Sequence, residues 1–293
     1  MSMPVKEILQ LADRRLKDAG VADHSRDSKS LYCWLMHIPE SRLILEYQNI
    51  IQDLNCEKYF SLIDRRAAGE PLQYIIESQA FMGLTFSVSP DVLIPRQDTE
   101  SLVEYALDKV KARAKGTWEI LDLGCGSGAI GISMARLFSR SRVTCADIRP
   151  EALVKAKENA EQNGLSGKIK FVESDMFQAF QKKWRDLKFD LILSNPPYIP
   201  TAVIPTLQRE IRDHEPLSAL DGGEDGLDFY RIIAKDAPRH LRAGGLLILE
   251  IGFDQREAVS HLLEEGGYFE EIESARDLAG LDRIVKAKRK GKR

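Results

Sequence analysis

The 293-residue sequence lacks a long apolar run. A helix needs about 20 consecutive apolar residues to cross a bilayer, so no membrane-spanning helix is expected. The first residues, MSMPVKEILQ, also lack the charged start and apolar middle of a secretory leader, and the expected location is cytoplasmic. Cysteine is scarce: Cys33, Cys56, Cys125 and Cys145 form no CxxC pair. That spacing argues against both a metal site and a disulfide framework, leaving free thiols and no metal as the expectation. An excess of positive charge is missing too, with 42 Lys and Arg against 45 Asp and Glu. Nonspecific nucleic-acid binding rests on many cation-to-phosphate contacts, so no direct nucleic-acid requirement is expected. The clearest basic run, Lys286 to Arg293, reads as a solvated, disordered end.

What is present divides into two regions of different period. From Val5 to about Ser78 the apolar residues recur at helical spacing, as in Val5, Ile8, Leu9, Ala12 and Leu16, then Leu31, Trp34 and Leu35. This is the pattern of a small helical bundle, with Ser41 and Asn55 as candidate N-caps. Between Ala80 and Arg96 the pattern turns to alternation, broken by Ser89, Pro90 and Asp91, which predicts a β-hairpin. The division is therefore 1–78 helical, 79–98 hairpin linker and 99–293 α/β. In the last region strands are predicted at 118–123, 142–146, 169–173, 189–194, 246–251, near 268–272 and near 283–287. Helices are predicted at 102–110, 129–138, 150–163, 227–241 and 253–265. Seven strands with helices on both faces imply a mostly parallel, Rossmann-like α/β sheet.

The first strand of that sheet runs into Gly124, Cys125, Gly126, Ser127 and Gly128. A glycine-rich turn from strand to helix at the carboxyl edge of a parallel sheet lets a ligand approach the backbone closely. Gly126, Gly128 and Gly131 also satisfy the dinucleotide fingerprint. Asp147, at the end of the next strand, would bind ribose hydroxyls in either case and does not discriminate. Asp122 either orients the loop or touches the ligand. After the third strand, Asp175 could accept from an adenine amine and Met176 could offer a soft apolar surface to the ring.

The fourth strand ends in Asn195, Pro196, Pro197 and Tyr198. Two prolines force the chain out of the sheet in a rigid turn. An amide or ring amine nitrogen is a poor nucleophile because its lone pair is delocalised. If the Asn195 side-chain oxygen and the Pro196 carbonyl each accept a hydrogen bond from one NH2 group, they hold both protons and aim the lone pair at a methyl donor. Tyr198 would stack on the planar substrate. Such a site works by position and by acceptors that strengthen as charge develops, and a hydride-transfer enzyme has no use for it.

On these residues the sequence resembles the HemK/PrmC family of protein-(glutamine-N5) methyltransferases. Its marks include LIPRQDTE (93–100), LDLGCGSGAIGI (121–132), SNPPYIP (194–200), EPLSALDGGEDGL (215–227) and LEIG (249–252). The resemblance implies a class I methyltransferase sheet with S-adenosyl-L-methionine at Gly124 to Gly128, Asp147, Met176 and Asn195. It implies catalysis and substrate binding at Asn195 to Tyr198. The substrate implied is the glutamine of a Gly-Gly-Gln loop in a peptide chain release factor, recognised by the helical region of a monomeric enzyme. Gln97, Met176 and Ser78 depart from the family's usual proline, tryptophan and glycine; the first two bear on cofactor packing. Arg96 and Thr99 could serve the cofactor pocket or act only as hinge and helix cap. His214 and Glu215 read as a loop boundary, Glu250 as a substrate contact or a loop brace, and 221–225 lacks the spacing of a calcium loop. The alternative enzyme is an adenine-N6 or guanine-N2 methyltransferase acting on DNA or RNA, against which stands the absence of a basic, aromatic-rich insertion. A noncatalytic module is the remaining class, and the intact Asn195 to Tyr198 segment argues against it.

Overall fold

The computed structural model describes residues 3–113 and 116–291. They form two compact units, one of 1–78 with 208–214 and one of 79–207 with 215–293. The first contains α1 (Val5–Asp18), α2 (His24–Leu35), α3 (Leu43–Glu46), α4 (Asp53–Ala67) and α5 (Leu72–Ile75). The stripe Val5, Ile8, Leu9, Ala12 and Leu16 is buried along α1, one face of a 3.6-residue period. It packs with Leu31 and Tyr32 of α2 and with Tyr59 and Ile63 of α4. Tyr59 satisfies its buried hydroxyl by donating to the Ser28 carbonyl at 2.8 Å. Arg66 pairs with buried Asp27 at 2.7 Å and with Glu210 at 2.8 Å, which ties 208–214 to this unit. Neither predicted cap holds. Ser41 lies inside a 3-10 turn, Glu40–Arg42, and Asn55 lies inside α4, whose N-cap is Gln52. Asp53 already supplies the negative charge that the first turn of α4 favours.

The second unit begins with a hairpin, β1 (Ser78–Phe81) and β2 (Leu84–Ser87). The turn falls at Met82 and Gly83, both at positive φ, and not at Ser89 to Asp91 as the composition suggested. A two-residue turn with φ positive at both positions matches the twist of the strands, whereas 88–96 runs on without regular structure. The hairpin is pinned to this unit, since Ser87 donates its N–H to Asn159 Oδ1 at 2.7 Å and accepts from Asn159 Nδ2 at 3.0 Å.

There follow α6 (Gln97–Arg113), β3 (Trp118–Leu123), α7 (Ala129–Leu137), β4 (Ser141–Asp147), α8 (Pro150–Gln162), β5 (Ile169–Glu173), α9 (Gln178–Gln181) and β6 (Phe189–Ser194). After α10 (Arg209–His214) come α11 (Asp228–His240), β7 (Leu241–Glu250), α12 (Arg256–Glu265), β8 (Phe269–Arg276) and β9 (Asp282–Arg289). The seven-stranded sheet has the order β5-β4-β3-β6-β7-β9-β8, with β9 antiparallel to both neighbours. Alternate residues serve opposite layers. Leu191, Leu193, Leu246 and Ile248 face α6, α7 and α8, while Ile192, Leu247 and Leu249 face α9, α11 and α12. Because both faces are covered, these strands read as continuous apolar runs.

Several boundaries depart from expectation, among them α6, which spans 97–113 rather than 102–110. β7 starts five residues before the predicted 246, since Arg242 to Gly244 are exposed and carry no apolar signal. β8 runs to Arg276 as a polar edge strand, bulged between Glu270 and Glu273. The basic run is not a disordered end: Lys286 to Arg289 lie in β9, and Lys286 is buried with its Nζ 3.2 Å from Glu273. Lys292 and Arg293 lie outside the described residues. The order of the strands decides where a ligand can sit. The chain moves from β3 outward to β4 and β5, then returns to place β6 on the other side of β3, and a crevice opens at the carboxyl ends where that direction switches.

Candidate active site

At the end of β3, Gly124 and Cys125 both donate backbone N–H groups to the Ala146 carbonyl of β4, at 2.8 and 2.9 Å. This sharp fork takes Gly124 to φ 72° and Gly126 to φ 52°, values that strain any residue bearing a Cβ. A Cβ at either position would meet no atom within 4 Å, because both border a cavity of about 310 Å³. The backbone is bare where a ligand would approach.

β4 ends at Asp147, which borders the same cavity. Its Oδ2 accepts from Gly126 N at 2.8 Å and its Oδ1 from Arg149 N at 3.0 Å. Each carboxylate oxygen takes up to two hydrogen bonds, so acceptor capacity remains for a diol. Asp122 acts within the fold instead. It is fully buried and accepts from Gly131 N at 2.8 Å, anchoring α7 to β3. Burial pushes its carboxyl up to about 7, against the pull of that hydrogen bond. Met176 reaches the cavity in a strained left-handed conformation, φ 44°, with its carbonyl held by Ser174 Oγ at 2.7 Å. Asp175 stands beside it, exposed, accepting from Gln178 at 2.6 Å. Leu93, Leu123, Ile148 and Ala152 supply apolar walls.

On the other side of the crevice, Ser194 Oγ donates to the Leu123 carbonyl at 2.7 Å, locking the end of β6 to the end of β3. Asn195, Pro196 and Pro197 follow and line the cavity. Asn195 Nδ2 donates to Thr99 Oγ1 at 3.2 Å, so the amide oxygen is the free end of that side chain. The segment is braced from behind by 220–226: Ile199 N donates to Leu220 O at 3.0 Å, Gly222 N to Ile199 O at 2.8 Å and Thr201 N to Gly223 O at 2.9 Å. Burial, with Glu250 as a further cause, pushes the Tyr198 hydroxyl up to about 12, so it stays protonated.

The structure thus gathers Gly124, Gly126, Asp147, Asp175, Met176, Asn195, Pro196 and Pro197 around one cavity. Four other sequence-named residues do not line it. Cys125 is buried in the same apolar cluster as Cys145; the Ser127 carbonyl accepts from Asn159 at 2.9 Å; Gly128 is the N-cap of α7; and Tyr198 packs on the core beneath. Arg96 does not line the cavity either, and pairs with buried Glu215. Asp91, Val92 and Leu93 line the cavity without having been singled out as ligands, although the LIPR segment contains one of them. All four cysteines are free thiols, and among the described residues no cluster of three His, Cys, Asp or Glu could hold a metal ion.

Residues 115–273 match the methyltransferase domain family, and 7–76 match the PrmC N-terminal domain. Among solved structures, a methyltransferase from Pyrococcus furiosus superposes with a TM-score of 0.51 at 20% identity, over 73% of this chain and 92% of that one. The hMettl16 catalytic domain in complex with MAT2A 3'UTR hairpin 6 gives 0.54 at 14% identity, over 82% and 84%. At such identities these two share the fold alone. Fold, glycine loop and Asn-Pro-Pro-Tyr turn together define an S-adenosylmethionine-dependent methyltransferase of class I. The bare glycine backbone, the Asp147 carboxylate and the apolar walls fit that cofactor's ribose and flat base. The "Release factor glutamine methyltransferase" of Moorella thermoacetica is 42% identical over 98% of this chain and 99% of its own length. That of Geobacter sulfurreducens is 44% identical over 96% and 95%. The chain belongs to the release factor glutamine methyltransferase family.

Proposed function

We propose that this enzyme methylates the side-chain nitrogen (N5) of the glutamine in the Gly-Gly-Gln loop of peptide chain release factors, acting as a cytoplasmic monomer. No described helix is long and apolar enough to cross a membrane. The reading is supported by the family and by one observation: Asn195 commits its NH2 end to Thr99 and keeps its oxygen for the cavity.

When bound, S-adenosylmethionine supplies an electrophilic methyl group. Gly124, Gly126, Asp147, Asp175, Met176 and Asn195 would hold it. Asn195 Oδ1 and the Pro196 carbonyl accept the two protons of the substrate amide, which turns the nitrogen lone pair toward the donor. Both acceptors strengthen as positive charge grows on nitrogen, so they stabilise the transition state more than the ground state. Pro196 and Pro197 keep that geometry rigid, and Tyr198 anchors the turn by packing against the core. The helical unit recognises the release factor.

The test is methyl transfer from labelled cofactor to a release factor, to its Gln-to-Ala loop variant, to tRNA and rRNA, and to DNA. Label in the unaltered release factor alone is expected. Label in nucleic acid, or equal label in the variant, overturns the proposal.

A further inference from the structure

Glu250 ends β7 and is 1% exposed. β6 and β7 are parallel neighbours with Ser194 opposite Leu249, which sets Glu250 one residue further on, beside Asn195. The side chains of Thr99 and Asn195 stand close enough to the Glu250 carboxyl group to favour its charged form, whereas its Oε2 has no protein partner. Other groups face it as well. Asp98 shares α6 with Thr99; Arg283 comes from β9, bonded to Asp277 at 3.1 Å and to Asp98 at 3.3 Å; Tyr198 and Tyr230 complete the shell.

An ionised carboxylate only accepts hydrogen bonds. Beside it, an amide is satisfied only when its NH2 end turns inward, and a hydroxyl only when its proton points inward. With Glu250 charged, Thr99 therefore gives its proton to the carboxylate and offers its oxygen to Asn195 Nδ2, the contact seen at 3.2 Å. Every member of the network then has one orientation, and the Asn195 oxygen faces the cavity. A protonated Glu250 can donate, and the opposite amide orientation becomes admissible. That orientation presents NH2 to the substrate's NH2, and the acceptor is lost.

We infer that Glu250 is the positioning residue that fixes which end of the Asn195 amide meets the substrate, and that its charge is what makes the choice. This deepens the proposed reading of the site and rests on it. Burial is the largest influence on the Glu250 carboxyl and pushes it up to about 7, with Thr99, Arg283 and Asn195 pulling it down. The orienting charge is thus gained and lost across neutral pH, and turnover should rise as pH increases through that range.

The test compares wild type with Glu250→Gln, a near-isosteric variant that carries no charge and can present either end of its own amide. Methyl transfer to release factor is followed from pH 6 to 8.5, cofactor affinity by calorimetry, and the Asn195 side-chain amide by 15N NMR. The expected result is a drop in kcat of about one to two orders of magnitude at pH 8, with cofactor affinity within twofold and the pH dependence flattened. The wild-type Asn195 amide signal should titrate near neutral pH in the absence of any substrate. Buried Asp122 would leave its own pH dependence in the variant, so flattening singles out Glu250. A variant with undiminished kcat and an unchanged profile, or a wild-type Asn195 signal that ignores pH, overturns the inference. If the variant does not fold, the wild-type titration still decides. Failure of wild type to methylate any release factor would instead strike the proposed function, and the NMR titration would stand apart from it.

Discussion

Gln255 Nε2 donates to the Tyr198 carbonyl at 3.0 Å, and this bond joins α12 to the turn that carries the substrate acceptors. The same amide donates to Gly226 O at 3.3 Å and its Oε1 accepts from Gly252 N at 3.0 Å. One side chain therefore fastens three loops at the carboxyl edge of the sheet. Gly226 is part of the fit: a Cβ there would collide with the Tyr198 carbonyl oxygen. Gln255→Leu should deprive the Tyr198 and Gly226 carbonyls and the Gly252 N–H of this partner, cost roughly 1–3 kcal/mol of stability and lower kcat about tenfold as the turn loosens. Thermal melting and steady-state kinetics check both, and wild-type kcat in the variant would contradict the bracing role.

Asn195→Ala removes one of the two acceptors for the substrate NH2. Cofactor affinity should stay within an order of magnitude, while kcat falls by about two to three orders, the usual effect of deleting one transition-state hydrogen bond. Calorimetry paired with single-turnover transfer separates the two; full activity would refute the acceptor assignment.

Asp147→Ala should act on the cofactor alone. It strips the acceptor from Gly126 N and Arg149 N and removes the carboxylate from the cavity wall, so cofactor affinity should drop at least about tenfold, the equivalent of 1.4 kcal/mol. Release factor binding without cofactor should be unaffected. Equal weakening of both would point to a general loss of structure.

His240 gives the fold a response to acid. It is buried, stacked on Phe177 at 5.0 Å, and neither ring nitrogen has a partner. Burial, reinforced by Lys188, lowers it to about 4. A histidine lowered on folding binds its proton more readily in the unfolded chain, so its contribution is present above about 6.5 and lost as pH falls toward 4. Wild type should lose on the order of 2 kcal/mol more than His240→Leu between pH 7 and 4. Parallel urea-melting curves at the two pH values would sink the idea.

Much of the second unit was legible because its strands are short, apolar and buried on both faces. β3, β5 and β6 fall where composition places them. The errors share a cause. Arg242 to Gly244 fall in the irregular stretch of β7 between the Phe189–Leu241 and Leu191–Leu246 pairs, while the polar edge strand β8 and the basic end of β9 are held by neighbouring strands, and their side chains record little of it. The hairpin turn was misplaced for a related reason: Ser89, Pro90 and Asp91 are stronger turn formers than Met82 and Gly83, yet β1 and β2 pair across the latter. α12 begins at Arg256, after the predicted start, because 252–255 is given over to the Gln255 contacts.

By itself the sequence determined the chemistry available: a glycine loop after a strand, an acidic residue after the next, and an asparagine followed by two prolines, each dictated by local backbone preference. Only the tertiary structure decided which of those groups share a cavity and which way they face. Residues as far apart as Thr99, Asn195, Glu250 and Gln255 meet because the strand order brings β6 between β3 and β7. The direction of the Asn195 amide follows from the charge and hydrogen-bond partners on its far side, and no local pattern encodes that.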